Sequence, residues 1–117
     1  LCWTELATTD PDAAGHFYAS LFGWALKKQE TGAHAYTELW KGPRPAGGMM
    51  AIEKEWGPMP PAWGVYFRVA DCDATVAKAK TLGARVLAGP DDIPRVGRYA
   101  FLADCEGATF AVMALAP

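Results

Sequence analysis

The chain writes one pattern twice. Thr8 to Trp24 (TTDPDAAGHFYASLFGW) is echoed by Val69 to Arg85 (VADCDATVAKAKTLGAR). Each copy leaves an apolar, strand-like stretch, turns at Asp-x-Asp, runs through a short amphipathic helix and closes on Leu-Phe-Gly or Leu-Gly. The interval from Asp10 to Gly23 is thirteen residues and that from Asp71 to Gly83 is twelve. A single insertion therefore aligns two modules of about sixty residues. Two long copies constrain the fold to a duplicated unit, because a solenoid needs three or more shorter repeats to cover its ends. A ligand site is expected between the copies.

With 117 residues, 51% of them hydrophobic, the chain can bury one core and has room for one compact domain. The formal charge of −2 and the scattered Lys and Arg residues form no basic stripe, which excludes a nucleic-acid backbone as partner. No apolar run approaches the roughly 18–20 residues of a membrane span. The opening LCWTEL carries no basic region of a signal peptide, so a cytoplasmic location is expected. The sequence begins at Leu1 without Met, which is compatible with a trimmed sequence or with one cut from a longer polypeptide. Cys2, Cys72 and Cys105 form no Cys-x-x-Cys pair, which argues against a disulfide framework and a structural zinc site and for reduced core or turn residues.

Period-two alternation over Cys2–Thr8 predicts a strand. Asp10 then reads as an N-cap with Pro11 at the first helical position, and Gly23 closes a helix over Pro11–Phe22. Ala14, Phe17, Tyr18, Leu21 and Phe22 are expected to lay an apolar stripe on a sheet. Strands follow at Trp24–Gln29, Ala35–Trp40 and near Gly47–Ile52, with a turn at Glu30–Ala33. The proline-rich stretch 54–62 reads as a linker between a first module of about 1–53 and a second of about 63–117. The second repeats the order: strand Trp63–Val69, helix Asp73–Leu82, strand Arg85–Leu87, a loop at Gly89–Val96, and strands Arg98–Ala103 and Thr109–Leu115. The turn Asp104–Gly107 joins the last two, with glycine where left-handed φ is needed.

A βαβββ unit written twice, a first helix ending FYASLFGW, the segments PAGGMM and DIPRVGRYAFLAD and a last hairpin reading LADCEGATFAV together resemble the vicinal oxygen chelate superfamily. That is the fold of glyoxalase I, extradiol dioxygenases and bleomycin-resistance proteins. The resemblance covers essentially the whole chain and is nearest to the glyoxalase-related branch often found as tandem domains. It implies an α+β fold whose two modules form a curved, cup-like mixed sheet, and a homodimer. It also implies a metal held near the start of the first strand and on the last strand of each module, by His and Glu. Those positions fall at Trp3, at Gly64, at Ala111 and within GGMMAI, and none offers a fitting ligand. No metal or cofactor is therefore expected. His16 reads as a helix-surface residue and His34 as a loop residue.

Residues at the ligand position and two further along share a strand face. This directs Trp3 and Glu5, Tyr66 and Arg68, and Met113 into the cup, with Met49 adapting from beside the glycine pair. Glu5, in apolar surroundings, is the candidate catalytic acid or base. An ion pair between Glu5 and Arg68 is the structural alternative. The face of Tyr36, Glu38 and Trp40 reads either as core or dimer surface or as pocket. Trp56, Met59 and the loop Ile93–Arg98 are candidates for folding over the cup mouth. Three functions are compatible with these residues. One is a metal-independent lyase or isomerase acting on a small carbonyl or aromatic compound, with Tyr66 or Arg68 stabilising an oxyanion. The others are a non-catalytic protein that sequesters a small molecule, and one half of a tandem protein.

Overall fold

The computed structural model describes residues 3–29, 35–54 and 59–117. Cys2, His34, Trp56 and the turn expected at Glu30–Ala33 lie outside the described residues. The elements run β1 (Trp3–Thr8), α1 (Pro11–Phe22), β2 (Ala25–Gln29), β3 (Tyr36–Lys41), β4 (Arg44–Ala51), β5 (Ala62–Arg68), α2 (Cys72–Thr81), β6 (Arg85–Ile93), β7 (Gly97–Ala103) and β8 (Thr109–Leu115). The chain is α+β, and the order βαβββ occurs twice, as the repeat demands. It forms two compact units, Trp3–Trp63 and Gly64–Pro117.

In the first unit the strands lie in the order β2-β3-β4-β1. β1 and β4 are parallel, with Glu5 opposite Gly48 and Leu6 opposite Met49, whereas β3 runs antiparallel to both β2 and β4. A parallel pair needs a crossover, and α1 begins it. Its start is set by Asp10, whose carboxylate accepts from the Ala13 N–H at 3.1 Å, with Pro11 just inside the helix. Its end is set by Gly23, which takes left-handed φ of 72° and donates to the Ala19 carbonyl.

The helix rests on the sheet differently from the expected apolar stripe. Gly15 is its buried residue, whereas Phe17, Leu21 and Phe22 are half exposed or more. A Cβ at Gly15 would stand 3.0 Å from the Leu26 side chain and 3.3 Å from the Met49 methyl. The helix thus approaches through its smallest residue and turns its large ones outward. Tyr18, Phe22 and Trp24 stack on one another instead, and Trp63 donates to the Tyr18 hydroxyl at 3.0 Å.

The second unit repeats this layout in the order β5-β8-β7-β6, with β5 and β8 parallel. Asp71 caps α2 as Asp10 caps α1, accepting from the Ala74 N–H at 3.0 Å. Cys72, Val76, Ala100, Leu102 and Val112 form its buried core, so Cys72 is a packing residue, while Cys105 is exposed in a turn. In that turn Gly107 has φ of 92°, and the Asp104 carboxylate accepts from the N–H groups of Glu106 and Ala108. β6 is longer than its sequence suggests. The stretch from Gly89 onward is not all loop, because two register shifts, between Val86 and Ala88 and between Ala88 and Asp91, absorb Gly89 and Pro90 and let pairing with β7 continue to Ile93.

Leu102 has no exposed surface. Leu102→Ala is expected to cost about 2–5 kcal/mol through the cavity it leaves, read as a lower urea midpoint.

Candidate functional site

Strand alternation and register place Trp3 and Glu5 of β1, Gly48 and Met50 of β4, Tyr36, Glu38 and Trp40 of β3, and Lys27 and Gln29 of β2 on one face of the first unit's sheet. Across it runs a hydrogen-bond chain. The Trp3 indole N–H donates to the Tyr36 hydroxyl at 2.8 Å, and that hydroxyl donates to Glu5 Oε2 at 2.8 Å. β4 lies between β1 and β3, so the Tyr36 ring must pass over it to reach Glu5. Gly48 is what permits this, since a Cβ there would collide with the Tyr36 ring and hydroxyl. Gly47, one residue earlier, is tight on the other face, though less so: its Cβ would stand 2.6 Å from the Thr4 carbonyl oxygen.

Burial first, and then the Glu5 charge, push the Tyr36 phenol far above its ordinary value of 10.0. The hydroxyl therefore stays protonated and acts as a donor that fixes the Glu5 carboxylate. Beside this chain, Glu38 Oε1 accepts from Gln29 Nε2 and from Trp40 Nε1, both at 3.2 Å. The Lys27 ammonium sits 4.0 Å above the centre of the Trp40 ring.

The second unit has its own face, carrying Tyr66 and Arg68 of β5, Ala111 and Met113 of β8, and Tyr99 and Phe101 of β7. Phe101 makes edge contacts with Tyr66 and Tyr99, at centroid distances of 5.7 and 5.4 Å. Tyr66 and Met113 are buried and Arg68 is exposed. The expected site residues thus gather as Trp3 with Glu5, and as Tyr66 with Arg68 and Met113. Glu5 and Arg68 belong to different units, and within its own unit Glu5 is bound by Tyr36.

Met49 does not share the Glu5 face. Its register with Leu6 turns it beneath α1, where it is 2% exposed and lines a separate cavity of about 250 Å³ with His16, Leu26 and Thr37. Met50 takes the place expected of it. Tyr36, whose face the sequence alone leaves undecided, joins Trp3 and Glu5 on this one. The signal that could have found it is the Gly-Gly pair at the centre of a strand, which marks the close approach of a bulky group. His16 lies on the exposed surface of α1, as expected.

The positions where the resemblance places metal ligands do not fit a metal. The Trp3 indole nitrogen is committed as a donor, Gly64 and Ala111 carry no donor atom, and on this face of β4 Met50 offers only a thioether. Among the described residues no three His, Cys, Asp or Glu side chains gather into a metal-binding set.

The model of the glyoxalase-like domain matches residues 3–113. The chain belongs to this glyoxalase-like family. Its relatives include CFP32 of Mycobacterium tuberculosis (strain CDC 1551 / Oshkosh), named as a candidate glyoxylase, which is 44% identical over 118 residues; the match takes in 100% of this chain and 44% of the relative. The anthracycline biosynthesis protein DnrV of Streptomyces peucetius is 33% identical over 123 residues, covering 94% of this chain and 45% of that protein. This glyoxalase-like chain thus spans less than half the length of the curated relatives it matches. Among solved structures, methylmalonyl-CoA epimerase from Mycobacterium tuberculosis superposes with a TM-score of 0.65 at 20% identity, over 97% of this chain and 86% of the epimerase. An extradiol ring-cleaving dioxygenase from B. fuscum gives 0.67 at 18% identity, over 99% of this chain and 32% of the enzyme. At these identities the likeness is one of fold, the vicinal oxygen chelate fold.

The raised Tyr36 predicts an alkaline weakness. In the unfolded chain this phenol ionises near its ordinary 10.0, whereas in the folded chain it holds its proton to higher pH. Its contribution to stability is therefore complete below about pH 10 and is lost as pH climbs from there toward the folded value. Melting temperatures measured from pH 8 to 11 should fall more steeply for the parent than for Tyr36→Phe. Gly48→Ala, which displaces the ring, should make a tyrosine of the folded protein ionise at lower pH, seen in phenolate absorbance.

Proposed function

We propose that this face of the glyoxalase-like chain binds a small carbonyl or aromatic compound, and that Glu5 is the base that takes a proton from the carbon beside its carbonyl, without a metal, as in an isomerase or lyase. The observation that carries the reading is the Trp3–Tyr36–Glu5 chain. It aims a carboxylate along a fixed direction on a face of aromatic rings, the mix of apolar wall and few polar groups usual in small-molecule sites. A phenol that stays protonated beside it can hold the carboxylate in both of its charge states, which a catalytic base must pass through. The name of CFP32 supports a glyoxylase-like chemistry. Tyr66, Arg68 and Met113 are proposed as a ligand-contacting wall of the second unit, with the Arg68 guanidinium as a donor to a substrate oxygen.

The same reading takes the chain to act as a homodimer in the cytoplasm. β2 stands at the end of the first unit's strand order with all of its residues exposed, an edge that pairing would cover. No described helix is long and apolar enough to cross a membrane.

The test is exchange of the proton beside the carbonyl in D2O, followed by NMR over a panel of 2-oxoaldehydes and α-hydroxyketones. The parent should accelerate exchange in at least one compound. Glu5→Gln should lose roughly 10²-fold or more of that rate while melting temperature and ligand affinity change little. Exchange that persists in Glu5→Gln removes Glu5 as the base, and saturable binding with no exchange in any compound leaves sequestration in place of catalysis.

A further inference from the structure

The Glu5 face also carries information about the kind of molecule it takes. We infer that its ligand is a planar aromatic compound bearing a positive charge or equivalent N–H donors. This rests on reading the Glu5 face as the ligand face.

The single N–H of Trp3 is spent on Tyr36, the single O–H of Tyr36 on Glu5, and the single N–H of Trp40 on Glu38. One N–H of Gln29 is likewise directed at Glu38. Apart from the Lys27 ammonium and the second N–H of Gln29, what the face presents is acceptors and π surfaces. Both hydrogen bonds to Glu38 end on Oε1, and Oε2 takes none among the described residues. A ligand that brings only oxygens finds few donors here, whereas one that brings N–H groups finds a carboxylate oxygen already oriented by its neighbour.

Charge points the same way. Among the described residues the face holds two carboxylates, Glu5 and Glu38, and one ammonium, Lys27. That ammonium shows where a cation goes. Lys27 lies directly opposite Glu38 in the β2–β3 register, yet its nitrogen rests over the Trp40 ring. Lys27 is exposed and forms no ion pair among the described residues, so a ligand cation can replace it on the indole without breaking a salt bridge. Trp3, Tyr36 and Met50 supply flat or adaptable apolar surface beside this place, which suits a planar ring system.

Two dyes test this by fluorescence titration: proflavine, a planar cation, and anthraquinone-2-sulfonate, a planar anion. Proflavine should bind at least about tenfold more tightly than the anion, and more weakly as salt is raised. Glu38→Gln should weaken proflavine by roughly tenfold, and Lys27→Met should tighten it several-fold by freeing the indole and removing a like charge. Lys27 is exposed, so that variant tests the proposal even if Glu38→Gln folds poorly. Equal or tighter binding of the anion overturns the charge assignment, as does proflavine binding indifferent to both substitutions. If both dyes bind alike and Tyr36→Ala abolishes both, the ligand face stands and only its charge preference falls. If neither binds, the ligand face falls with it.

Discussion

The parallel pairing of the first and last strands of each βαβββ unit is the constraint on which the other features rest. In the first unit it sets β1 directly against β4 and so brings Glu5 level with Gly48. β3, antiparallel on the far side of β4, then delivers Tyr36 from the opposite flank. The same pairing sends the chain through α1 to cross from one strand to the other, and α1 occupies the face that carries Leu6 and Met49. One strand, β4, thereby serves two environments, with Met49 in the packing under the helix and Gly48 and Met50 beneath the ring of Tyr36. A slip of one residue in the β1–β4 register would exchange these roles, turning Met49 onto the Glu5 face and Met50 under the helix.

Where sequence and structure agree, the determinants are local. Asp10 and Asp71 cap the two helices by the same contact, a carboxylate accepting from the N–H three residues on, and that contact needs nothing from the rest of the fold. Gly23 and Gly107 take left-handed φ for equally local reasons. Where sequence and structure part, the deciding contact is distant. Met49 and Met50 are adjacent and chemically identical, so only pairing with β1 says which one faces the helix. Phe17, Leu21 and Phe22 have helical spacing, but the approach of α1 to the sheet is decided by the absence of a side chain at Gly15. The length of β6 depends on bulges that β7 accommodates. Tyr36 belongs to the site because of Glu5, thirty-one residues away.

Trp3 shows how this face is organised. Trp3, where the resemblance would place a metal ligand, acts as a donor, and through Tyr36 it orients a carboxylate by two hydrogen bonds. A metal holds its ligands by charge at short range, while this chain depends on burial to keep the Tyr36 phenol neutral and donating. Among the described residues, Glu5 and Glu38 on this face are acceptors held by aromatic donors, Tyr36 and Trp40. The glyoxalase-like fold uses these positions as ordinary strand residues, Ala111 pairing with Tyr66 on one side and Phe101 on the other.

The two consecutive glycines of β4 give the candidate site a history within folding. Gly47 and Gly48 leave both faces of the strand bare, so the close approaches of Thr4 and of the Tyr36 ring are matched by an unfolded chain with more freedom to lose here than elsewhere, roughly 0.5–1 kcal/mol per glycine relative to alanine. That stretch has no side chains with which to order itself. It is held in place only by the strands on either side, one from the beginning of the unit and one from its middle. A nascent or partly unfolded chain therefore has a carboxylate and a phenol but no site, and the constellation exists only when the sheet is complete.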